Sequence, residues 1–365
     1  MKKTDSRDSV QLDIDSDITR ASTLPAELIR NPVHYPHILE QVFTRTWHVL
    51  GPKPANNKVQ QLEPVTLLPG SLNEPLLLSC HQRDLHVLSN VCTHRGNLLI
   101  DEPCRAPTIK CRYHGRSFEL DGTFKRMPAF EQAQDFPTSS DSLPKVPSAS
   151  LGPLLFASVT PQMTFDALLG PLKARLDFVP WSAAVLSEAK DYVINANWLL
   201  YCDNYLEGLH LPFVHDGLME ALDFTSYATE LHEWASLQLG IAKRPQDAIS
   251  LPAGHPDAHR NVAAFYAFLF PATMLNVYPW GVSVNAVRPL GPAKTCVTYL
   301  TFVYDQDRLG SGAGADLERV ELEDEAIVER VQRGIASRFY KGGRFSPTME
   351  QAVHHFHRLV AAQLR

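Results

Sequence analysis

Two pairs of one cysteine and one histidine constrain the fold of this chain more than any other feature. Cys92-Thr-His94 and Cys111-Arg-Tyr-His114 lie close together in the sequence, with residues 95–110 between them, and a glycine follows each histidine within two positions. Two thiolates and two imidazoles on two loops can bind one metal centre if the fold brings the loops together. We therefore expect a small domain that presents two loops to a metal centre.

The spacers within these pairs distinguish between two kinds of metal site. One residue separates Cys92 from His94, and two residues separate Cys111 from His114. A structural zinc site more often combines C-x2-C with H-x3–5-H, so zinc is the alternative here. The observed spacers are typical of a Rieske [2Fe–2S] cluster, in which two cysteines hold one iron and two histidines hold the other. The sequence thus predicts a Rieske cluster on these four residues.

A second group of candidate ligands has the spacing E-x2-H-x4-H and consists of Glu207, His210 and His215. Two histidines from one short segment can be two corners of a 2-His-1-carboxylate site for Fe(II). A histidine pair in a helix more often serves packing or lies on the surface, but an electron carrier in the same chain needs an acceptor for its electron. We therefore predict a mononuclear iron site at His210 and His215.

The third iron ligand should be a carboxylate from the predicted helix 316–338, which contains Glu321, Glu323, Asp324 and Glu325. Asp324 falls within an apolar stripe of helical periodicity, formed by Val320, Ile327, Val328, Val331 and Ile335. An acid on a buried face is costly unless it is paired or bound to a metal. We therefore predict Asp324 as the ligand and place Glu321 and Glu325 on the opposite, solvated side.

The order of the predicted elements divides the chain into an arm and two domains. We assign residues 1–44 to an N-terminal arm, 45–160 to an all-β domain with the first ligand set, and 161–365 to a domain of antiparallel strands and long helices. The predicted fold class is therefore α+β. In the last domain, strands are predicted at 191–197, 263–270, 273–278, 281–288 and 295–304, and helices at 198–210, 316–338 and from residue 347.

Charge and composition exclude several kinds of partner. The formal net charge of -6 argues against binding to nucleic acid or to an anionic membrane. Neither a secretory signal nor an apolar run long enough to span a membrane is visible in the sequence. The cysteines outside the predicted cluster show no pairing pattern and are expected to be reduced thiols. We therefore expect a cytoplasmic protein.

Taken together and in this order, the two motifs resemble those of the catalytic α subunits of Rieske non-haem iron oxygenases. The likeness covers nearly the whole chain from about Leu24 and includes Asn197-Trp198, residues 203–210 and Val331-Gln332. It implies an N-terminal Rieske domain and a C-terminal helix-grip domain. It also implies a mono- or dioxygenase that hydroxylates or N-demethylates a small organic substrate. O2 and electrons from a separate reductase or ferredoxin would be used, so that NAD(P)H acts only indirectly.

The resemblance further implies an assembly and a role for Glu207. Family members are commonly homotrimers in which the cluster of one subunit faces the mononuclear iron of the next. Glu207 matches the acid that bridges the two centres, which implies hydrogen bonds to His210 of its own chain and to His114 of the next. Glutamate at this position, within the context of residues 206–215, resembles the choline, carnitine and glycine betaine monooxygenase branch.

Two residues depart from the family pattern. Arg116 stands where a tryptophan often follows the second His-Gly pair, and Leu199 stands where a lysine often follows Asn197-Trp198. Neither residue is a predicted ligand. Arg116 is expected to alter the docking of the reductase or the screening of the cluster.

Candidate substrate contacts follow from the idea that an aromatic pocket can hold a quaternary ammonium group by cation–π attraction. The alternative role for such aromatic residues is to fill the space between sheet and helix. The residues predicted to contact substrate are Asn204, Tyr205, Phe213, Tyr278 and Trp280. A small quaternary ammonium compound is the leading substrate, and hydroxylation or O-demethylation of an aromatic acid is the alternative.

The sequence also leaves an alternative from another class of protein. This alternative is a Rieske electron-transfer or redox-sensing protein with a degenerate second domain. Such a protein would bind no mononuclear iron and use no O2. The intact E-x2-H-x4-H motif and Asp324 argue against it. Iron content separates the two, because an oxygenase would hold about three irons per chain and a carrier about two.

Overall fold

The computed structural model of the chain describes residues 12–54, 60–81 and 84–365. These residues form two compact units. The cluster unit comprises residues 44–162, and the sheet unit combines the described residues up to Phe43 with residues 163–365. Residues 1–11 of the predicted arm, and residues 55–59 and 82–83 of the predicted β domain, lie outside the described residues. The predicted boundaries after residues 44 and 160 stay predictions.

Within its described residues, the cluster unit contains three antiparallel sheets. In spatial order, the first consists of β1 (His48–Pro52), β10 (Leu154–Ala157) and β9 (Ser148–Leu151). The second consists of β4 (Asp84–Ser89), β3 (Glu74–His81), β2 (Gln61–Leu67) and β5 (Cys104–Arg105). The third consists of β6 (Ile109–Lys110), β7 (Ser117–Phe118) and β8 (Phe124–Arg126). The two ligand pairs therefore follow β4 and β6, at the ends of strands.

A hairpin with Asp121-Gly122 at its turn joins β7 to β8. Gly122 has a φ of +88°, and a Cβ at this position would lie 2.9 Å from the side chain of Leu88. The turn therefore needs glycine both for its backbone conformation and for its close approach to the core. This hairpin continues directly from the second ligand loop.

One large antiparallel sheet organises the sheet unit, and its strands lie within residues 185–303. In spatial order, the sheet consists of β11 (Val185–Ile194), β17 (Lys294–Val303), β16 (Gly281–Gly291), β15 (Thr273–Tyr278), β14 (Val262–Leu269), β13 (Ala235–Ile241) and β12 (Ala228–Leu231). Every residue of β15 is buried, as expected for a central strand covered on both faces. The strands predicted at 263–270, 273–278, 281–288 and 295–304 are present, and the one predicted at 191–197 belongs to β11.

The helices within the described residues are α1 (Ala26–Arg30), α2 (Tyr35–Ile38), α3 (Phe165–Leu169), α4 (Lys173–Leu176), α5 (Trp198–Tyr205), α6 (Leu211–Val214), α7 (Asp216–Ala221), α8 (Leu317–Ile335) and α9 (Gln351–Leu364). The helix predicted at 198–210 ends at Tyr205, because Gly208 and Pro212 disfavour a continuous helix. Pro212 instead lies in the first turn of α6, where proline is tolerated. His210 and His215 consequently lie at the two ends of a short helix. The predicted α+β class is confirmed.

Aromatic packing joins the first helices of the sheet unit to its sheet and to α9. The rings of Phe43 and Trp198 meet edge to face, with their centroids 4.9 Å apart. Phe356 on α9 contacts Trp198 at 5.7 Å and Phe268 on β14 at 5.4 Å. Such ring pairs add to the stability that burial provides. This packing holds the start of α5, which leads to the histidine segment.

The buried face of α8 differs from the predicted stripe. Val331 is 42% exposed, whereas Glu321, which was placed on the solvated side, is only 6% exposed. Val328 and Ile335 are buried as predicted. Glu321 can be buried because the hydroxyls of Tyr201 and Tyr299 hydrogen-bond its carboxyl group. Periodicity alone does not reveal such partners, so the prediction for Glu321 was wrong.

No helix among the described residues is long and apolar enough to cross a membrane.

Close packing between β16 and β17 generates a stability prediction. A Cβ on Gly281 would lie 2.1 Å from the carbonyl oxygen of Phe302, whereas a Cβ on Gly291, on the same strand, would meet nothing within 4 Å. We expect Gly281→Ala to lower the free energy of unfolding by about 1–3 kcal/mol, since backbone must move to admit the methyl group. Urea unfolding followed by fluorescence measures this loss. An equal loss in the control Gly291→Ala would contradict the close approach of these strands.

Candidate active site

Two loops of the cluster unit bring its four predicted ligands together. Cys92 and Cys111 are buried in one hydrophobic cluster, and both are free thiols. The imidazole rings of His94 and His114 meet edge to face, with their centroids 4.8 Å apart. The thiols therefore lie on the inner side and the imidazoles on the outer side of one group.

Both ligand loops close in the same way. The backbone N–H of Gly96 donates to the carbonyl oxygen of Cys92 at 3.0 Å, and the N–H of Gly115 donates to that of Cys111 at 3.1 Å. Gly96 and Gly115 have φ values of +69° and +76°. Glycine adopts this left-handed conformation without a steric penalty, which explains the glycine after each histidine.

The donor atoms of these loops fit a [2Fe–2S] cluster. Nδ1 of His94 is buried and has no hydrogen-bond partner among the described residues, as expected for a nitrogen that binds a metal. The side-chain amide of Asn97 donates to Sγ of Cys111 at 3.6 Å. Burial raises the pKa of the Cys92 thiol, so a buried thiolate at this position needs a positive partner. A cluster iron would be such a partner.

Arg116 does not lie on the docking surface that its position in the motif suggested. Its side chain is only 2% exposed, and its guanidinium lies 5.0 Å from the ring centroid of Phe124. One guanidinium nitrogen, Nη2, donates to the Asp141 carboxylate at 2.6 Å and to its carbonyl oxygen at 3.0 Å. Thr93, on the first ligand loop, donates to the same carbonyl oxygen at 2.8 Å. Arg116 therefore connects the two ligand loops through Asp141, and reductase docking by its side chain is not supported.

His210, His215 and Asp324 form a group that can hold a metal ion in the sheet unit. One ligand atom from each of them lies within 4.8 Å of the other two. Oδ1 of Asp324 lies 3.0 Å from Nε2 of His215 and 3.6 Å from Nε2 of His210. The side chain of His215 is 1% exposed, so water contributes little to this group. The structure thus brings together the three residues predicted as iron ligands.

Carboxylates set the tautomers of both histidines. Nδ1 of His210 lies 2.6 Å from Oε1 of Glu207, and Nδ1 of His215 lies 2.8 Å from Oε2 of Glu323. An ionised carboxylate only accepts, so each Nδ1 carries the proton and each Nε2 presents a lone pair. Nε2 of His210, Nε2 of His215 and the Asp324 carboxylate are then three acceptors that face one another. Because none of them can donate to another, they need a cation between them. Carboxylate–histidine–metal arrangements have this form, so the donors fit a metal ion.

The pKa of His215 reflects the same excess of acceptors, because without a metal a proton on Nε2 takes the place of the cation. Burial by itself lowers this pKa, but the hydrogen bonds and charges of Asp324 and Glu323 outweigh it and raise the pKa. Glu323 is held in turn by Arg319, whose Nε donates to it at 2.9 Å. Sequence reasoning considered Glu323 only as an alternative third ligand and missed its contact with His215. The sequence feature that could have indicated this contact is the position of Glu323 directly before Asp324.

Asn204 orients Asp324. Its side-chain amide on α5 donates to Oδ1 of Asp324 on α8 at 2.7 Å. The start of α5 is tied to the same helix, because Oε1 of Gln332 accepts from the backbone N–H of Asn197 at 2.8 Å. The spacing between α5 and α8 therefore fixes where the carboxylate lies relative to the histidines.

A pocket opens beside these three residues, and tyrosines dominate its wall. Of the residues predicted to contact substrate, Asn204, Tyr205 and Tyr278 line it. Phe213 is 83% exposed, and Trp280, which is buried, stacks on Tyr278 with 5.2 Å between the ring centroids. Neither of these two lines the pocket, so the structure does not support them as substrate contacts. The Phe213 side chain points outward from α6 and Trp280 packs behind Tyr278, so a role of either in substrate contact stays a prediction.

Sequence reasoning missed most of the pocket. The additional lining residues include Tyr201, Tyr227, Tyr266, Ser283, Asn285, Tyr299 and Glu321. Several of them are polar residues on otherwise apolar, buried strands. This contrast was the only feature of the sequence that could have marked them as pocket residues. Such residues come from separate strands, and no local motif connects them.

Hydrogen bonds connect the polar groups of the pocket wall. The Tyr205 hydroxyl donates to Oδ1 of Asn276 at 2.8 Å, and the Asn276 amide donates to Oδ1 of Asn285 at 3.1 Å. The Asn285 amide donates to the hydroxyls of Tyr201 and Tyr299 at 3.0 and 2.8 Å. These two hydroxyls contact the carboxyl group of Glu321. The wall is therefore a continuous network that ends at a buried acid.

Comparison with known families identifies the chain. The family described as "Ring hydroxylating alpha subunit (catalytic domain)" matches residues 182–365, which is half of the sequence. The family described as "Rieske [2Fe-2S] domain" matches residues 57–138. This chain is the α subunit of a Rieske non-haem iron oxygenase. The zinc alternative and the alternative of an electron carrier without mononuclear iron therefore do not hold.

Relatives of this Rieske oxygenase belong to the predicted branch. Choline monooxygenase, chloroplastic, from Arabidopsis thaliana is 29% identical over 95% of this chain and 84% of that protein. The carnitine monooxygenase oxygenase subunit of Escherichia coli (strain K12) is 27% identical over 93% of each chain. A crystal structure of the quaternary ammonium Rieske monooxygenase CntA with its substrate L-carnitine has a TM-score of 0.73 and 22% identity, covering 96% of this chain and 97% of that chain. At this identity, the structural likeness shows the fold.

The family membership implies the cofactors of this Rieske oxygenase. They are a [2Fe–2S] cluster for the Rieske domain and a mononuclear iron for the catalytic domain. A separate reductase as electron donor is typical of the family. The donor sets in the two units fit these two cofactors.

The contact between Glu323 and His215 generates a prediction about metal retention. We expect Glu323→Gln to weaken iron binding in the sheet unit by about 10–100-fold, because His215 loses the carboxylate that orients its ring. Competition with an Fe(II) chelator measures this change while the absorbance of the cluster reports on the other centre. The control is Glu318→Gln, which alters an exposed partner of Lys190 on the same helix. Iron retention equal to that of the control would remove Glu323 from the support of the site.

Proposed function

We propose that this oxygenase hydroxylates or N-demethylates a small quaternary ammonium compound in the tyrosine-lined pocket beside His210, His215 and Asp324. One observation carries the proposal: six tyrosines line a pocket that adjoins the candidate metal ligands. Aromatic faces attract quaternary ammonium groups, and such groups cannot donate hydrogen bonds. The choline and carnitine monooxygenases among the relatives act on this kind of compound, as their names state.

In this proposal, His210, His215 and Asp324 hold the iron, and Cys92, His94, Cys111 and His114 hold the cluster. The mononuclear iron, when bound, supplies the activation of O2 that a C–H bond of the substrate requires. Asn204 and Glu323 fix the orientation of the ligands through the hydrogen bonds described above. The tyrosine rings exclude water and orient the substrate.

We further propose that electrons reach the iron through a neighbouring subunit of a homotrimer. A reductase or ferredoxin would reduce the cluster, and Glu207 would connect His114 of one subunit with His210 of the next. The support within one chain is that both oxygens of the Glu207 carboxylate hold His210: Oε1 lies 2.6 Å from Nδ1, and Oε2 accepts from the backbone N–H at 3.0 Å. The trimer and the cytoplasmic location stay predictions.

The route through Glu207 generates a kinetic prediction. With both metal centres fully loaded in excess iron, we expect Glu207→Gln to slow oxidation of the reduced cluster in a single turnover by about 10–100-fold, because the charged link to His210 is lost. Stopped-flow absorbance of the cluster measures this rate. Glu220→Gln, an exposed change on α7, is the matched control. An unchanged rate in Glu207→Gln would remove this residue from the route.

Substrate-dependent consumption of O2 tests the proposed activity directly. The full chain, loaded with both cofactors and supplied with a surrogate reductase, is offered choline, carnitine, glycine betaine and an aromatic acid. We expect consumption above background with at least one quaternary ammonium compound, coupled to a hydroxylated or demethylated product. Turnover of the aromatic acid alone would reject the proposed substrate class and support the alternative.

A further inference from the structure

We propose that Glu321 provides the charge that binds the ammonium group of the substrate, and that the pocket selects a cationic alcohol over a zwitterion that carries a carboxylate. This inference rests on the proposed function and narrows it. It concerns the end of the pocket formed by Glu321 on α8, Tyr201 on α5 and Tyr299 on β17.

Burial makes Glu321 an unusual residue. It is 6% exposed and lines the pocket, although a buried carboxyl group is costly without partners. Both of its oxygens lie near the Tyr201 hydroxyl, at 3.1 and 3.2 Å, and the Tyr299 hydroxyl contacts Oε2. Glu321 is neither one of the candidate metal ligands nor hydrogen-bonded to their histidines. Its place in the pocket wall therefore points to a role in binding.

A count of protons shows that this group holds one extra proton in the absence of a cation. The hydroxyls of Tyr201 and Tyr299 lie 2.5 Å apart, and each also contacts Glu321. The Asn285 amide donates to both hydroxyls, so it supplies none of these three contacts. One proton for each of the three residue pairs makes three protons, and the two tyrosines supply only two. The third proton belongs to the carboxyl group of Glu321.

The charges around Glu321 agree with this count. Burial, followed by the negative charges of Asp324 and Glu325, raises the pKa of Glu321 well above its usual value. The titratable groups that face it are Tyr201 on α5, Tyr299 on β17, and Asp324 and Glu325 on α8 itself. None of these is positively charged. A substrate cation would therefore replace the proton, and one positive charge would be exchanged for another.

The other charges of the pocket disfavour a carboxylate. The ionisable lining residues are Glu207, His210, His215, Glu321, Asp324 and tyrosines, and no lysine or arginine lines the pocket in the described part of the chain. A substrate carboxylate in this pocket would have no cationic side chain as partner and would face acids. Enclosing an unpaired carboxylate is costly. The pocket therefore suits a cation whose other end is neutral.

A hydrogen-bonding group for that neutral end is present. Ser283 lines the pocket and is 1% exposed, and its hydroxyl has no hydrogen-bond partner among the described residues. It lies two residues before Asn285 on β16, so the two side chains share one face of the sheet. A substrate hydroxyl would form the hydrogen bond that the Ser283 hydroxyl lacks. An amino alcohol thus matches the pocket at both ends.

Calorimetric binding to the anaerobic holoenzyme tests the inference. The probes are choline, its neutral isostere 3,3-dimethyl-1-butanol, and L-carnitine. We expect wild type to bind choline at least about tenfold more tightly than either of the other two. Glu321→Gln should reduce the preference for choline over the isostere several-fold, because the exchangeable proton is lost while the attraction of the tyrosine rings remains. Glu318→Gln, which changes an exposed acid on the same helix, should leave the ratio unaltered.

Proton release gives a second readout that needs no variant. Binding of choline to wild type, measured in buffers with different ionisation enthalpies, should release about one proton, and the affinity should rise about tenfold per pH unit below the pKa of Glu321. The isostere should release none. Absence of proton release, or an unchanged affinity ratio in Glu321→Gln, would overturn the inference.

Failure of this inference can be told apart from failure of the proposed function. Tighter binding of L-carnitine than of choline by wild type would overturn the role of Glu321 while supporting a quaternary ammonium substrate. Failure of choline and L-carnitine to bind, together with no O2 consumption with any quaternary ammonium compound, would overturn both proposals. Tight choline binding with proton release supports both.

Discussion

Three acids on α8 have hydrogen-bond partners around the pocket, and the candidate site is built from those partners. Asp324 accepts a hydrogen bond from Asn204 and lies near both histidines. Glu323 hydrogen-bonds Nδ1 of His215, the ring nitrogen that does not face Asp324. Glu321 is held by the hydroxyls of two tyrosines. A buried carboxylate without such partners would destabilise the fold by several kcal/mol. The position of α8 against α5 and the sheet therefore fixes the candidate metal ligands and the pocket together.

The cluster unit also buries a charged side chain, the guanidinium of Arg116. The Arg116 guanidinium is enclosed by phenylalanine rings and paired with Asp141, whose carbonyl oxygen also accepts from Thr93. Charge, ring faces and hydrogen bonds together offset the cost of removing the guanidinium from water. Because Thr93 and Arg116 lie on different ligand loops, this one pairing holds both loops at a fixed separation. A tryptophan could fill the same space but could not make this ionic connection.

The sequence alone predicted what is encoded locally. All seven candidate metal ligands lie in short motifs or on one amphipathic helix, and the strands from residue 263 to residue 304 follow from buried apolar runs. The pocket was not predictable in this way, because Tyr266, Asn285 and Tyr299 come from three different strands. Glu321 was misplaced for the same reason: its partners are distant in sequence. Neither Phe213 nor Trp280 lines the pocket, since nearness in sequence to a functional segment does not decide where a side chain points.

Tyrosine, rather than phenylalanine, lines this pocket for a physical reason. A phenylalanine ring offers only its face, and its orientation depends on packing alone. Here the hydroxyls of Tyr201, Tyr205 and Tyr299 are tied into the asparagine network, which limits the rotation of the rings before substrate binds. Fixing the rings in advance lowers the entropy that binding must overcome. The same network reaches Glu321, so the aromatic surface and the acid form one preorganised wall that can meet a cation without rearrangement.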